Sequence, residues 1–197
     1  MAPRMTSTQE VCNALTMAAP SLVFVYCWIS ESEIYTFHTK LIVFTGWTHM
    51  YISLSYHMMC SLGYYDDRIN CNLRKLDQSF IHMCGISNCV GLSGGDVLFS
   101  TTAVVVNAWF ICKLWIPGQH DFALERRLNV VLSTILYLLP QLLRGDLLNL
   151  FGCVGGFFFA AVFFQLNWVF RGWGHSLSHL CYCPLYYAVL KSSVSAN

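Results

Sequence analysis

The chain has 197 residues, of which 56% are hydrophobic and 11% charged, with a net charge of +1 and a mean hydropathy of +0.52. Soluble domains carry roughly 25% charged residues, and a chain this short still needs a polar surface in water. The composition therefore excludes an ordinary soluble domain and points to a multi-spanning membrane protein, and the near-zero charge gives no electrostatic footprint for nucleic acid.

A transmembrane helix needs about 20 mostly apolar residues. Seven stretches qualify, at 11–29, 41–62, 76–93, 97–116, 128–143, 147–170 and 175–190. The first is longer than a signal-peptide core and contains Pro20, so it reads as a retained span. Polar loops at 30–40 and 63–75 flank the second. Pro117 and Gly118 stop the fourth, and Arg144-Gly145-Asp146 forms a tight turn between the fifth and sixth. The third and fifth are short and moderately polar. No internal repeat or linker is visible, so 1–197 reads as one all-α domain, a seven-transmembrane helix bundle.

Pro20, Pro140 and Pro184 are expected kink positions. Gly155-Gly156 is expected to permit close helix contact, and Trp168 and Trp173 to sit in an interfacial belt. The ten cysteines lie mostly in apolar runs and read as small buried hydrophobes. Cys181 and Cys183 are two apart on a helix, do not share a face and make poor joint ligands. Nothing indicates a disulfide framework.

Seven spans place the end of the second, the start of the third and the start of the seventh at one membrane depth, on the N-terminal side. His57 with Ser53 and His49 one and two turns earlier, Asp77, and His175 with His179 all fall there. His175 and His179 share a helix face about 6 Å apart along the axis. Ionisable groups inside a membrane are expensive and usually functional. In the seven-span arrangement Arg4, Arg68, Arg74, Lys75, Lys113, Arg126, Arg127 and Arg171 also lie on this side. Lys40, Arg144 and Lys191 lie on the other. The excess places the N-terminus and the polar cluster on the cytosolic side.

His57, His175 and His179 make a three-nitrogen zinc site with a fourth position open for water. Bound zinc lowers the pKa of its water to about 7 and polarises a carbonyl. Asp77 is placed to take and return a proton. Ser53 faces the same site and can hydrogen-bond water or an oxyanion. Together these are the parts of a metal-assisted amide or ester hydrolase. His38, His49, His82 and His120 read as interfacial polar residues. Arg74 and Lys75 read as snorkelling side chains that can also meet lipid phosphate, and either could pair with Asp77.

Ser53-Leu-Ser-Tyr-His57 followed by Leu73-Arg-Lys-Leu-Asp77-Gln-Ser-Phe-Ile-His-Met-Cys-Gly85 resembles the core of the haemolysin III and progestin/adipoQ receptor family. His175-Ser-Leu-Ser-His179 is similar to its His-x-x-x-His in span seven. Glu10-Val-Cys-Asn13-Ala-Leu-Thr16 is similar to the Glu-x-x-Asn-x-x-Thr-His that opens its first span, with Met17 in place of the histidine. The three motifs cover nearly the whole chain in order. The wider superfamily includes alkaline ceramidases and myomaker-type proteins. Membership implies seven spans, zinc on His57, His175 and His179, Asp77 and Ser53 around the metal's water, and, for haemolysin III-type members, a cytosolic N-terminus. Myomaker-type relatives are expected in the opposite orientation.

The leading functional expectation is a zinc-dependent intramembrane lipid hydrolase, with ceramide the favoured substrate class. The alternatives are a receptor in which zinc is structural and a myomaker-type protein. Bis-histidine haem ligation suits the single-face pair poorly. Lys191, at the end of span seven, disfavours a retinal protein. The short chain and its metal-like cluster disfavour a G-protein-coupled receptor.

Overall fold

A computed structural model describes residues 5–65, 71–116 and 123–196. Among them are seven α-helices in the order α1 (Ser7–Glu31), α2 (Phe37–Ser61), α3 (Asn72–Leu92), α4 (Val97–Trp115), α5 (Ala123–Arg144), α6 (Leu147–Gln165) and α7 (Gly174–Val194). A 3-10 turn at Ser32–Ile34 follows α1, and no strand occurs among these residues. Each expected span falls on one of the helices. Pro20, Pro140 and Pro184 all lie inside helices.

Local chemistry sets the helix ends. Thr6 caps α1: its hydroxyl accepts from the Gln9 N–H at 3.3 Å, while the Gln9 side chain accepts from the Thr6 N–H at 2.8 Å, a reciprocal capping box. Asp96 caps α4 by accepting from the Phe99 N–H. The sixth helix ends at Gln165, earlier than the expected 170. Between α6 and α7 the backbone turns tightly, with Arg171 at φ 51° and Gly172 at φ 95°. Gly172 is required there, because a Cβ would lie 2.4 Å from the Gln9 amide. That amide donates to the Arg171 carbonyl at 2.6 Å. Gln9, the second member of the α1 capping box, thus also holds the turn that launches α7.

Three segments are long and apolar enough to cross a membrane, as an integral membrane protein requires: Ser7–Ile34, Val97–Trp115 and Leu147–Gln165. Only 17% of the apolar window of α4, and of α6, is buried in the bundle. Their outer faces carry exposed side chains such as Val97, Leu98, Leu148 and Phe151. Helices α2, α3 and α7 read as less apolar because they turn polar residues inward. Thr45, His49, Ser53 and His57 of α2, Ser79, His82, Ser87 and Asn88 of α3, and Ser176, Ser178 and His179 of α7 are all buried. Helix α5 buries Ser133, Thr134 and Gln141 and carries Glu125, Arg126 and Arg127 in its first two turns.

Helix α1 packs on α2 and α7, α2 on α3, α3 on α4 and α5, and α6 along α7; α5 and α6 touch only over a short stretch. The apolar core lies between α1, α2, α3 and α7, around Phe24, Ile42, Leu92, Val189 and Leu190. The α6–α7 contact uses Gly152 and Gly156, where added Cβ atoms would come within 2.9 Å of Ala188 and 2.8 Å of Leu185. This is small-residue packing four apart. Gly155, the other half of the expected Gly155-Gly156 contact, faces open space, because it is one residue off that stripe.

One end of the bundle is tied by polar contacts. The Arg144 guanidinium donates to the Leu92 carbonyl at the end of α3 and to the Ser192 hydroxyl of α7. Ser192 donates to Asp146 at 2.5 Å, and Lys191 pairs with Glu31. The candidate site occupies the other end.

Candidate metal centre

The ends of α2 and the start of α7 bring His57, His175 and His179 together. Each offers a nitrogen, and these nitrogens lie within 4.8 Å of one another. Ring centroids are 5.0 Å apart for His57–His175, 5.6 Å for His57–His179 and 4.7 Å for His175–His179, with steep interplanar angles of 86°, 62° and 77°. Such a group could hold a metal ion. His57 and His179 are buried and His175 is half-buried.

The donor set fits a metal because the outer nitrogens are already held. His57 Nδ1 lies 2.8 Å from Glu10 Oε2, and both side chains are almost fully buried. An N–H at Nδ1 donates to the carboxylate and leaves Nε2 with its lone pair free. His179 Nδ1 lies 3.0 Å from the Asn13 carbonyl, which can only accept, so the same tautomer is fixed there. The Thr16 hydroxyl is 3.2 Å from that nitrogen. Metal-binding histidines are usually oriented in this way by a carboxylate or carbonyl behind them. His175 is set by its backbone: its N–H donates to Asn167 Oδ1 at 3.1 Å, and its ring stands edge-on to Phe164 at 5.2 Å.

Helix α1 therefore supplies a rib behind the site. Glu10 holds His57. Asn13 holds His179 through its carbonyl and accepts from the Ser176 hydroxyl at 2.6 Å through its side chain. Glu10 and Asn13 are completely buried. Sequence reasoning placed Glu10, Asn13 and Thr16 in a motif and assigned them no task. The available signal was their spacing of three and three, which lays polar groups along one side of an otherwise apolar helix.

His49, Ser53 and His57 are four apart and share the inner face of α2. His49 is not interfacial. It is buried, with Nε2 3.4 Å from Asp77 Oδ1. Asp77 thus pairs across to α2 rather than with Arg74 or Lys75. Arg74 donates to the Tyr56 hydroxyl at 3.4 Å, and Lys75 lies over the Trp115 ring. At 3.4 Å the pair meets as an ion pair without the alignment of a hydrogen bond, and Asp77 Oδ1 and His49 Nδ1 have no hydrogen-bond partner. A buried carboxylate oxygen without a hydrogen bond calls for an explanation. Here both residues line a cavity of about 620 Å³, together with Ser53, His175 and His179. His82 is also buried rather than interfacial, with Nδ1 3.0 Å from Asn107 Oδ1 between α3 and α4. His38 is half-buried beside Gly95. His120, Arg4 and Arg68 lie outside the described residues.

None of the ten cysteines is joined in a disulfide. Comparison with protein-family models, with curated proteins and with solved structures gave no match.

Proposed function

We propose that the chain is a seven-span membrane protein of the haemolysin III and progestin/adipoQ receptor type that hydrolyses a lipid amide of the ceramide class, with zinc on His57, His175 and His179. The observation that carries this reading is the convergence of three imidazoles, two with their outer nitrogens already held, beside a cavity that also admits Asp77 and Ser53. A purely structural zinc is normally closed by four protein ligands. Three ligands beside a cavity favour catalysis.

Bound zinc supplies Lewis acidity, polarising a carbonyl and acidifying water. The chain's own groups do the rest. Asp77 takes a proton from the attacking water as its oxygen bonds to the amide carbonyl carbon. Ser53 donates a hydrogen bond to the oxygen that becomes negative. Asp77 then returns the proton to the nitrogen as the C–N bond breaks, releasing a fatty acid and an amino alcohol. His49 positions the Asp77 carboxylate from the neighbouring helix. The outward apolar faces of α4 and α6 meet lipid, and the inward polar faces of α2, α3, α5 and α7 cross beside them. The expected result is turnover of labelled ceramide by the purified protein, lost on chelation and regained with zinc. No turnover by zinc-loaded wild type would replace this reading with that of a receptor holding structural zinc.

The excess of basic residues at the site end supports a cytosolic location for that end and the N-terminus. A glycosylation acceptor inserted before Gln9 is expected to stay unmodified, and one at the C-terminal tail to be exposed to the modifying lumen. The reverse pattern would indicate the orientation of myomaker-type proteins.

A further inference from the structure

Two arginines stand at the mouth of the cavity without a carboxylate. Arg74, in the first turn of α3, and Arg127, in the second turn of α5, both line it. Arg74 donates to the Tyr56 hydroxyl and Arg127 to Gln165 Oε1 at 2.7 Å. These acceptors are neutral, and among the described residues neither guanidinium forms an ion pair. By contrast, Lys113 at the same end is neutralised by Glu125. Glu10 and Asp77, the carboxylates nearest the cavity, are each matched to a histidine.

The N-termini of α3 and α5, positive ends of their helices, lie beside these arginines at this end, where α2, α4 and α6 also terminate. The N-cap residues of α3 and α7 make no side-chain capping bond, and in α7 Asn167 accepts from the His175 N–H. Among the described residues these two guanidinium groups line the cavity without an ion-pair partner, while Tyr137, Phe157, Leu185 and Tyr186 also line it.

We propose that the cavity takes a lipid whose headgroup carries a phosphate, held by Arg74 and Arg127, with its acyl chain in the aromatic and aliphatic interior. The proposal rests on reading the cavity as the lipid site. It narrows the substrate class to an N-acyl amino alcohol phosphorylated on the hydroxyl of the carbon next to the one that bears the amide nitrogen. Arg74 precedes Asp77 by three residues, about 4.5 Å along the helix axis. In such a lipid five covalent bonds separate phosphorus from the amide carbonyl carbon, about 6 Å when extended. A phosphate on Arg74 thus places the scissile carbonyl beside Asp77. Guanidinium suits this task, because its planar fork can meet two phosphate oxygens at once.

Binding to the purified full-length protein in detergent tests this, with ceramide 1-phosphate, unphosphorylated ceramide of the same acyl chain, and inorganic phosphate as probes. Ceramide 1-phosphate is expected to bind at least about tenfold tighter than ceramide, the scale of one charge-assisted contact. Inorganic phosphate alone should compete only weakly. Arg74→Gln with Arg127→Gln should abolish the preference and leave ceramide binding unchanged. Arg127→Gln alone, at an exposed position where folding is not at stake, should lose part of it. Equal affinity for the two lipids, a preference that survives both substitutions, or inorganic phosphate binding as tightly as the lipid would each overturn the proposal. Measuring the preference also in His175→Ala separates the two readings. A wild type that shows the preference without turnover refutes the hydrolase and sustains the phosphate site.

Discussion

Asp77→Asn is expected to keep its zinc and lose lipid hydrolysis by roughly 10²–10⁴-fold, the usual worth of general acid–base assistance. The reason is the separation of tasks in the site. On the proposed reading three imidazoles hold the ion, and Asp77 is not in that group, so losing its charge should not empty the site. Hydrolysis still requires a group that accepts a proton from water and passes it to the leaving nitrogen. Asparagine has nearly the same shape and cannot carry that proton. The competing role for Asp77 is structural, as the partner of His49 on the facing helix. In that role the substitution would weaken the α2–α3 contact and leave the rate per zinc-loaded molecule unchanged. Zinc content and turnover, measured on one preparation, decide between them.

The second large effect concerns the metal itself. His57→Ala is expected to remove most of the zinc, as are His175→Ala and His179→Ala, because each deletes a direct ligand. His57 is the sharpest of the three, since it comes from a distant helix. Zinc retained at full occupancy in that variant would break the three-histidine assignment. Glu10→Gln should give an intermediate result. The amide can still meet the imidazole but carries no charge, and losing an outer-shell partner typically costs 10–100-fold in metal affinity. Competition against a chelator reads both. A Glu10→Gln protein with unchanged affinity would show that the carboxylate serves packing alone.

The helices were legible because apolar runs separated by polar turns can be read directly, although among the described residues only three of them are long and apolar enough to cross a membrane. Their histidines were legible because helical spacing fixes which residues share a face: His57 with Ser53, and His175 with His179. What escaped was partnership across helices. His49 occupies the same stripe as Ser53 and His57, yet a histidine in an apolar run reads equally as interfacial. Only Asp77, brought across from α3, gives it a purpose. His82 was misread in the same way, because its partner Asn107 lies on another helix. Glu10, Asn13 and Thr16 carried a recognisable spacing, but their acceptors and donors sit on α2 and α7, well over a hundred residues away for α7. For the glycines, adjacency in Gly155-Gly156 drew attention away from the pair four apart, Gly152 and Gly156, which meets α7.

The rib on α1 ties the ligand set to the order in which the chain is made. Glu10 and His57 emerge early from the ribosome and can pair as soon as α1 meets α2. His175 and His179 belong to the last helix and emerge late. Domains tend to fold from the N-terminus as synthesis proceeds, so the early half presents a single anchored imidazole and no complete grip on an ion. On the proposed reading, metal capture then waits until α7 docks against α1 and α6. The ion would be a clasp between α2 and α7.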